Sequence, residues 1–217
     1  MSRLTVALRS LPSYRPRQAA PASAKLKRST RAAKQLMLLW LSESMRASAD
    51  FRDGLDVACG YMSYRPLFQT QTYTGIDINE DRLAKGLTLY PDASAAHCPI
   101  EDMTQTADFV ICLQTIGFNQ RFGTKNIMLG IEKLIEATRP GGTLIFNIGI
   151  SGGQQLPAIS ERVRRSFDEV TERRYGALRT PRWKYAHSMF AARAMNALPF
   201  LRGKRLGYFE CKKRRPH

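Results

Sequence analysis

The sequence predicts an α/β protein built on a parallel, doubly wound sheet, and three observations carry that reading. Short apolar runs alternate with stretches of helical periodicity from Leu55 to Ile148. One of the runs, Phe109-Val-Ile-Cys-Leu113, is bounded by Asp108 and Gln114 and has the unbroken apolar character of a central strand buried on both faces. A turn at Cys59–Gly60 follows the first run, and the second ends near an acid, Asp77, 21 residues after Asp56.

Residues 1–30 carry Pro12, Pro16 and Pro21, many Ser and Ala, and six cations by Lys27, with no acid before Glu43. That composition buries little apolar surface and reads as a basic, disordered tail. It also has the Arg- and Ser-rich, acid-poor character of an organellar transit peptide. Residues 31–217 then form one domain. Arg31 to Ala47 reads as a helix centred on Leu36-Met-Leu-Leu-Trp-Leu41, six apolar residues where a bilayer span needs about 20. Leu55, Val57 and Ala58 make a short buried strand. Ser63 and Pro66 are expected to open a helix, Ser as cap and Pro in the first turn, where its missing N–H costs nothing. Tyr73 to Ile78 is the second strand, Glu80 to Leu89 a helix with Leu83 and Leu87 on one face, and Ala95 to Cys98 a short third strand. Thr124 heads a helix with Ile127, Met128, Ile131, Leu134 and Ile135 at apolar spacing; Arg139-Pro-Gly-Gly142 stops it, and Thr143 to Ile148 is the next strand. Phe167 to Arg173 and Leu206 to Lys212 read as two further strands. Between them, Ala186, Met189, Phe190, Ala194, Ala197 and Leu198 recur at helical spacing among Arg182, Lys184 and Arg193, a basic helical insertion around 176–204. It packs on the sheet, covers a substrate mouth or lies on a membrane surface.

A strand, a glycine turn, a helix and a second strand ending in an acid is the layout that binds an adenine nucleoside: the turn approaches the ligand and the acid accepts from ribose hydroxyls. Asp56-Val-Ala-Cys-Gly60 resembles the Asp-x-Gly-x-Gly loop of class I S-adenosylmethionine-dependent methyltransferases. Cys59-Gly-Tyr-Met-Ser-Tyr-Arg-Pro-Leu-Phe68 is similar to a variant of that loop in bacterial members, often beside glycan or lipopolysaccharide genes. Asp108 to Gln114 resembles the family's fourth strand, and Arg139-Pro-Gly-Gly-Thr-Leu-Ile-Phe146 its entry into the fifth. The resemblance covers about residues 35–217. It implies a Rossmann-like, doubly wound, mainly parallel seven-stranded sheet with an antiparallel last strand, and S-adenosyl-L-methionine as cofactor. Three positions depart from the pattern: Ala58 and Met62 stand where the loop usually has glycine, and Pro99 where an acid follows the third strand.

Carried onto this chain, the resemblance assigns Asp77 to the ribose, and Asp56, Ala58 and Gly60 to the loop under the amino-acid moiety. Ile78, Ile100, Glu101 and Asp102 fall at the adenine pocket, and Leu113 and Gln114 at the end of the fourth strand. Glu101 and Asp102 read equally as plain loop acids, and Asp56 as a residue that orients the loop. Methyl transfer to a hydroxyl needs a base. The histidines are His97, His187 and His217; His187, in the basic segment, is the candidate, with a surface or packed histidine as the plain alternative. Tyr61 and Tyr64 read as packing residues. Cys59, Cys98, Cys112 and Cys211 have no metal-ligand spacing and read as small buried residues in a reducing compartment, so no metal is expected.

The net charge of +16 is segregated. Residues 1–49 hold ten Lys/Arg and one acid, 50–150 eight and twelve, and 151–217 sixteen and five. An acidic central region between basic ends suits attraction to anionic lipid, phosphorylated glycolipid or nucleic acid, or serves solubility alone. Where amino-methylating nucleic-acid enzymes of the family carry Asn-Pro-Pro-Tyr, this chain has Leu113-Gln-Thr-Ile116. The leading expectation is therefore a cytoplasmic methyltransferase, at the membrane surface, acting on a small-molecule, glycan or lipid-linked acceptor. An RNA methyltransferase, or a cofactor-fold protein with a degraded loop that binds nucleic acid or membrane, is the alternative.

Overall fold

In the computed structural model, the described residues are 32–118, 124–176, 205–216 and position 197. The tail at 1–30, the helical spacing around 176–204 and His187 therefore lie outside the described residues, apart from Gly176 and position 197.

A seven-stranded sheet has the order β3-β2-β1-β4-β5-β7-β6. The strands are β1 (Asp53–Val57), β2 (Thr72–Asp77), β3 (Ser94–His97), β4 (Ala107–Cys112), β5 (Thr138–Ile148), β6 (Phe167–Gly176) and β7 (Arg205–Arg214). Pairs from β3 through β5 are parallel. β7 lies antiparallel to both β5 and β6, as the expected last strand does. The helices are α1 (Ala32–Ser44), α2 (Glu80–Leu89), α3 (Thr124–Ala137) and α4 (Leu156–Ser166).

Two apolar layers sandwich the sheet. On one face Met37 and Leu41 of α1 pack with Leu83 of α2 against Phe109, Ile111 and Tyr208. On the other, Ile127, Ile131 and Leu134 of α3 and Ile159 and Val163 of α4 cover Leu55, Val57, Val110 and Phe146. The central strand β4 is buried on both sides, which explains its unbroken apolar run. α2 begins where its cap dictates: the Asn79 side chain accepts from the Arg82 N–H at 3.0 Å, and Glu80 and Asp81 meet the positive end of the helix.

The expected helix at Ser63–Pro66 is absent. A single 3₁₀ turn, Arg65–Leu67, stands in its place, and Ser63 caps nothing. Met62 has a left-handed φ of +55°, which an α-helix cannot include, so no α-helix runs through this loop. α4 was not expected from the sequence, although Leu156, Ile159 and Val163 at helical spacing and Pro157 in its first turn are its signals.

Candidate functional site

The strand order reverses between β1 and β4, and open α/β sheets bind ligands beyond the strand ends at such a point. A cleft of about 1130 Å³ opens there. Its walls come from the residues that leave successive strands: Ala58 and Gly60 after β1, Asp77 at the end of β2 and Ile78 after it, Cys98 and Pro99 after β3, Leu113 and Gln114 after β4. Lys34 and Leu38 of α1 and Arg82 of α2 complete it.

The loop after β1 alternates in hand, with φ of +59° at Ala58, +56° at Gly60 and +55° at Met62. Both positions where the resembling family has glycine thus keep the conformation that glycine adopts freely, held here by residues with side chains. The backbone is fixed by the Cys59 N–H donating to the Ile76 carbonyl (2.9 Å) and the Met62 N–H to the Cys59 carbonyl (2.9 Å). At Gly60 an added Cβ would meet nothing within 4 Å, so this backbone lies open to the cleft. Met62 does not narrow the cleft. Its side chain is fully buried and fills the space left by two glycines: a Cβ on Gly86 would sit 2.9 Å from Met62 Cγ, and one on Gly75 3.2 Å from Met62 Cε.

Asp77 joins this loop to β2. Its Oδ2 accepts from the Gly60 N–H at 2.7 Å and its Oδ1 from the Asn79 N–H at 2.9 Å. An ionised carboxylate has about four acceptor sites, so each oxygen can take a further donor from the cleft. Asp56 lies beneath, 1% exposed, and lines no part of the cleft. Its Oδ2 accepts from the Tyr73 hydroxyl at 2.9 Å. Burial raises the Asp56 pKa to about 7; the Tyr73 hydrogen bond opposes the shift and the Asp77 charge adds to it. The Arg65 guanidinium lies 5.2 Å from the centre of the Tyr73 ring and binds Asp92 at 2.8 Å.

The other sequence-derived residues divide. Ile78, 60% exposed, and Ile100, Glu101, Leu113 and Gln114 line the cleft, whereas Asp102 does not. Pro99, in the place of the missing acid, leads into a 3₁₀ turn at Ile100–Asp102 and also lines the cleft. Tyr61 and Tyr64 line it too; Tyr61 is 45% exposed, and burial pushes the Tyr64 hydroxyl pKa upward, away from use as a base near neutrality. Cys59, Cys112 and Cys211 are buried, but Cys98 is only partly buried and faces the cleft. Its thiol is pushed up by burial and by Asp102. His97 is exposed, with Nε2 2.9 Å from the Ile78 carbonyl.

Sequence reading passed over three residues of this region. Arg82, in the first turn of α2, lies 5.6 Å from the Tyr61 ring centre, and its place five residues after Asp77 was the available signal. Lys34 sits on α1, a mostly apolar helix whose sequence gave no hint of the cleft. Asn147, on β5, is visible only once the strands are paired. Among the described residues no group of His, Cys, Asp and Glu can hold a metal ion, and no helix is long and apolar enough to cross a membrane.

No family model and no curated protein matches the sequence. Solved structures do match the architecture. The N-methyltransferase NodS from Bradyrhizobium japonicum WM9, in complex with S-adenosyl-L-homocysteine, is 12% identical, with 86% of this chain and 88% of that one covered and a TM-score of 0.57. The plantazolicin methyltransferase BamL, in complex with a desmethylplantazolicin analogue and S-adenosylhomocysteine, is 13% identical over 86% of each chain, TM-score 0.53. The chain has the fold of these methyltransferases. Thermoplasma acidophilum 1320 shares it as well, at 12% identity, 84% and 88% coverage and a TM-score of 0.53. At such identities the likeness is one of fold.

Proposed function

We propose that the protein is an S-adenosyl-L-methionine-dependent methyltransferase. The observation that carries the reading is Asp77: both carboxylate oxygens are anchored by backbone N–H groups, yet the side chain faces a cleft at the switch point of the sheet. The residues present fit the cofactor. Asp77 would accept from the two ribose hydroxyls, Gly60 and Ala58 would lie under the amino-acid part, and Ile78, an exposed apolar side chain on the cleft wall, would cover the adenine. Loop degradation, the premise of the binding-module alternative, has little support, because Ala58 and Met62 keep the glycine-like backbone and Met62 points into the core.

The cofactor, when bound, supplies a sulfonium methyl group for in-line displacement. This chain's residues contribute alignment: Asp77 and the Gly60 backbone fix one end, and the β4 terminus at Leu113–Gln114 bounds the other. The general base remains a proposal on His187. NodS is an N-methyltransferase and BamL a plantazolicin methyltransferase by name, and the acceptor proposed for this chain is a small molecule, or a glycan or lipid-linked one. The basic ends would hold the enzyme in the cytoplasm at an anionic membrane surface.

Thermal shift with S-adenosylmethionine, S-adenosylhomocysteine, NAD and ATP tests the cofactor. The sulfur nucleosides should raise Tm and the others should not; stabilisation by NAD or ATP alone would replace the reading. Co-sedimentation with anionic liposomes and with RNA across a salt series tests the surface. Preference for liposomes is expected, and preference for RNA would revive an RNA acceptor.

A further inference from the structure

Gln114 forms the β4 wall of the cleft in a conformation that its side chain disfavours, with φ at +58°. Something must hold it there. The β4–β5 ladder ends at the pair Cys112–Phe146. Beyond it the Gln114 N–H finds no strand carbonyl and donates instead to Oδ1 of the Asn147 side chain, at 2.7 Å. The other half of the same amide is spent in two directions. Nδ2 donates to the Tyr175 hydroxyl on β6 at 3.0 Å and lies 3.3 Å from the Met37 sulfur on α1. The amide orientation follows from its neighbours, since the Gln114 N–H needs an acceptor on that side. Asn147 is 1% exposed and touches no part of the cleft itself.

We propose that Asn147 is the positioning residue of the cleft: its amide holds the Gln114 backbone in the left-handed conformation and ties the β4 terminus to α1 and β6, so that this wall is formed before ligand arrives. The inference rests on the cofactor reading above. Without the Asn147 acceptor, Gln114 relaxes to a negative φ and the ligand must restore the strained form on binding. Glycine at 114 adopts either hand without cost and removes the need for the clamp.

The test is a double-mutant cycle read by equilibrium dialysis of labelled S-adenosylhomocysteine, with folding followed by circular dichroism. Asn147→Leu should weaken binding about tenfold when residue 114 is Gln, the factor set by the left-handed cost. The same change in a Gln114→Gly background should alter affinity little, while Tm falls in both backgrounds because Tyr175 has lost its donor. A role confined to packing would lower Tm without that dependence of affinity on residue 114. Should the Leu variant not fold, amide hydrogen exchange on the wild-type protein reads the bond directly. The Gln114 N–H should be protected with and without S-adenosylhomocysteine, and free exchange in the ligand-free protein overturns the inference. Equal tenfold losses in both backgrounds, or no loss in either, also overturn it, leaving the cofactor reading intact. Absence of binding by the wild type removes both.

Discussion

Met62→Gly separates the loop's backbone requirement from its side-chain role. The substitution restores the residue that the loop pattern expects and relieves a left-handed φ of +55°, a gain of about 1–2 kcal/mol. It also removes a fully buried side chain whose Cγ, Sδ and Cε fill the gap over Gly75 and Gly86. Truncating a buried Met to Ala costs about 2–5 kcal/mol, because the surroundings collapse only partly. The packing loss exceeds the conformational gain, so the variant should be less stable by roughly 1–3 kcal/mol. Because the side chain points away from the cleft, affinity for S-adenosylhomocysteine should stay within about threefold, less than 1 kcal/mol. Urea unfolding measures the first quantity and calorimetry the second. Stability equal to or above wild type would refute the packing described for Met62. A large loss of affinity in a folded variant would mean that Met62 meets the ligand.

Two further predictions follow from the same region. Ala58→Gly at φ +59° removes strain at the loss of one partly buried methyl that packs on the core, and should stabilise the protein by up to about 1 kcal/mol in urea unfolding, with destabilisation as the refuting result. Asp56 binds its proton more tightly in the folded than in the unfolded chain, its pKa being raised by burial to about 7 from 3.8. The stability it contributes is therefore complete below about pH 4, declines as the pH rises toward 7 and is gone above it, a loss of up to about 4 kcal/mol. Asp56→Asn should abolish that decline, so its stability relative to wild type should be greater at pH 8 than at pH 5; a difference that does not change with pH would exclude a buried, titrating Asp56.

β4 was legible because it is buried on both faces and so carries an uninterrupted apolar run, and α2 because Leu83 and Leu87 recur on one face, with Leu83 buried in the core. The place of Asp77 and Gly60 on the cleft wall was legible too, since the turn and the acid must stand at fixed distances from two strands. The failures lie where tertiary contacts override local signals. Ser63 and Pro66 look like a helix start, but Met62 is drawn into the core and reverses the backbone hand just before them. Asp56 looks like part of a ligand loop, yet the alternation of strand side chains turns it under the sheet toward Tyr73. Asn147 has no local signature at all: its importance comes from a strand partner, a helix and a second strand that meet only in the folded chain.

The central claim is that Asp77 receives the ribose of the cofactor. Its most direct test is calorimetric titration of S-adenosylhomocysteine into the wild-type protein and into Asp77→Ala. Hydrogen bonds to a charged acceptor are worth about 1.5–3 kcal/mol, so one-to-one binding by the wild type should weaken at least about tenfold in the variant. Equal affinity in the two proteins, or no binding by the wild type, would contradict it.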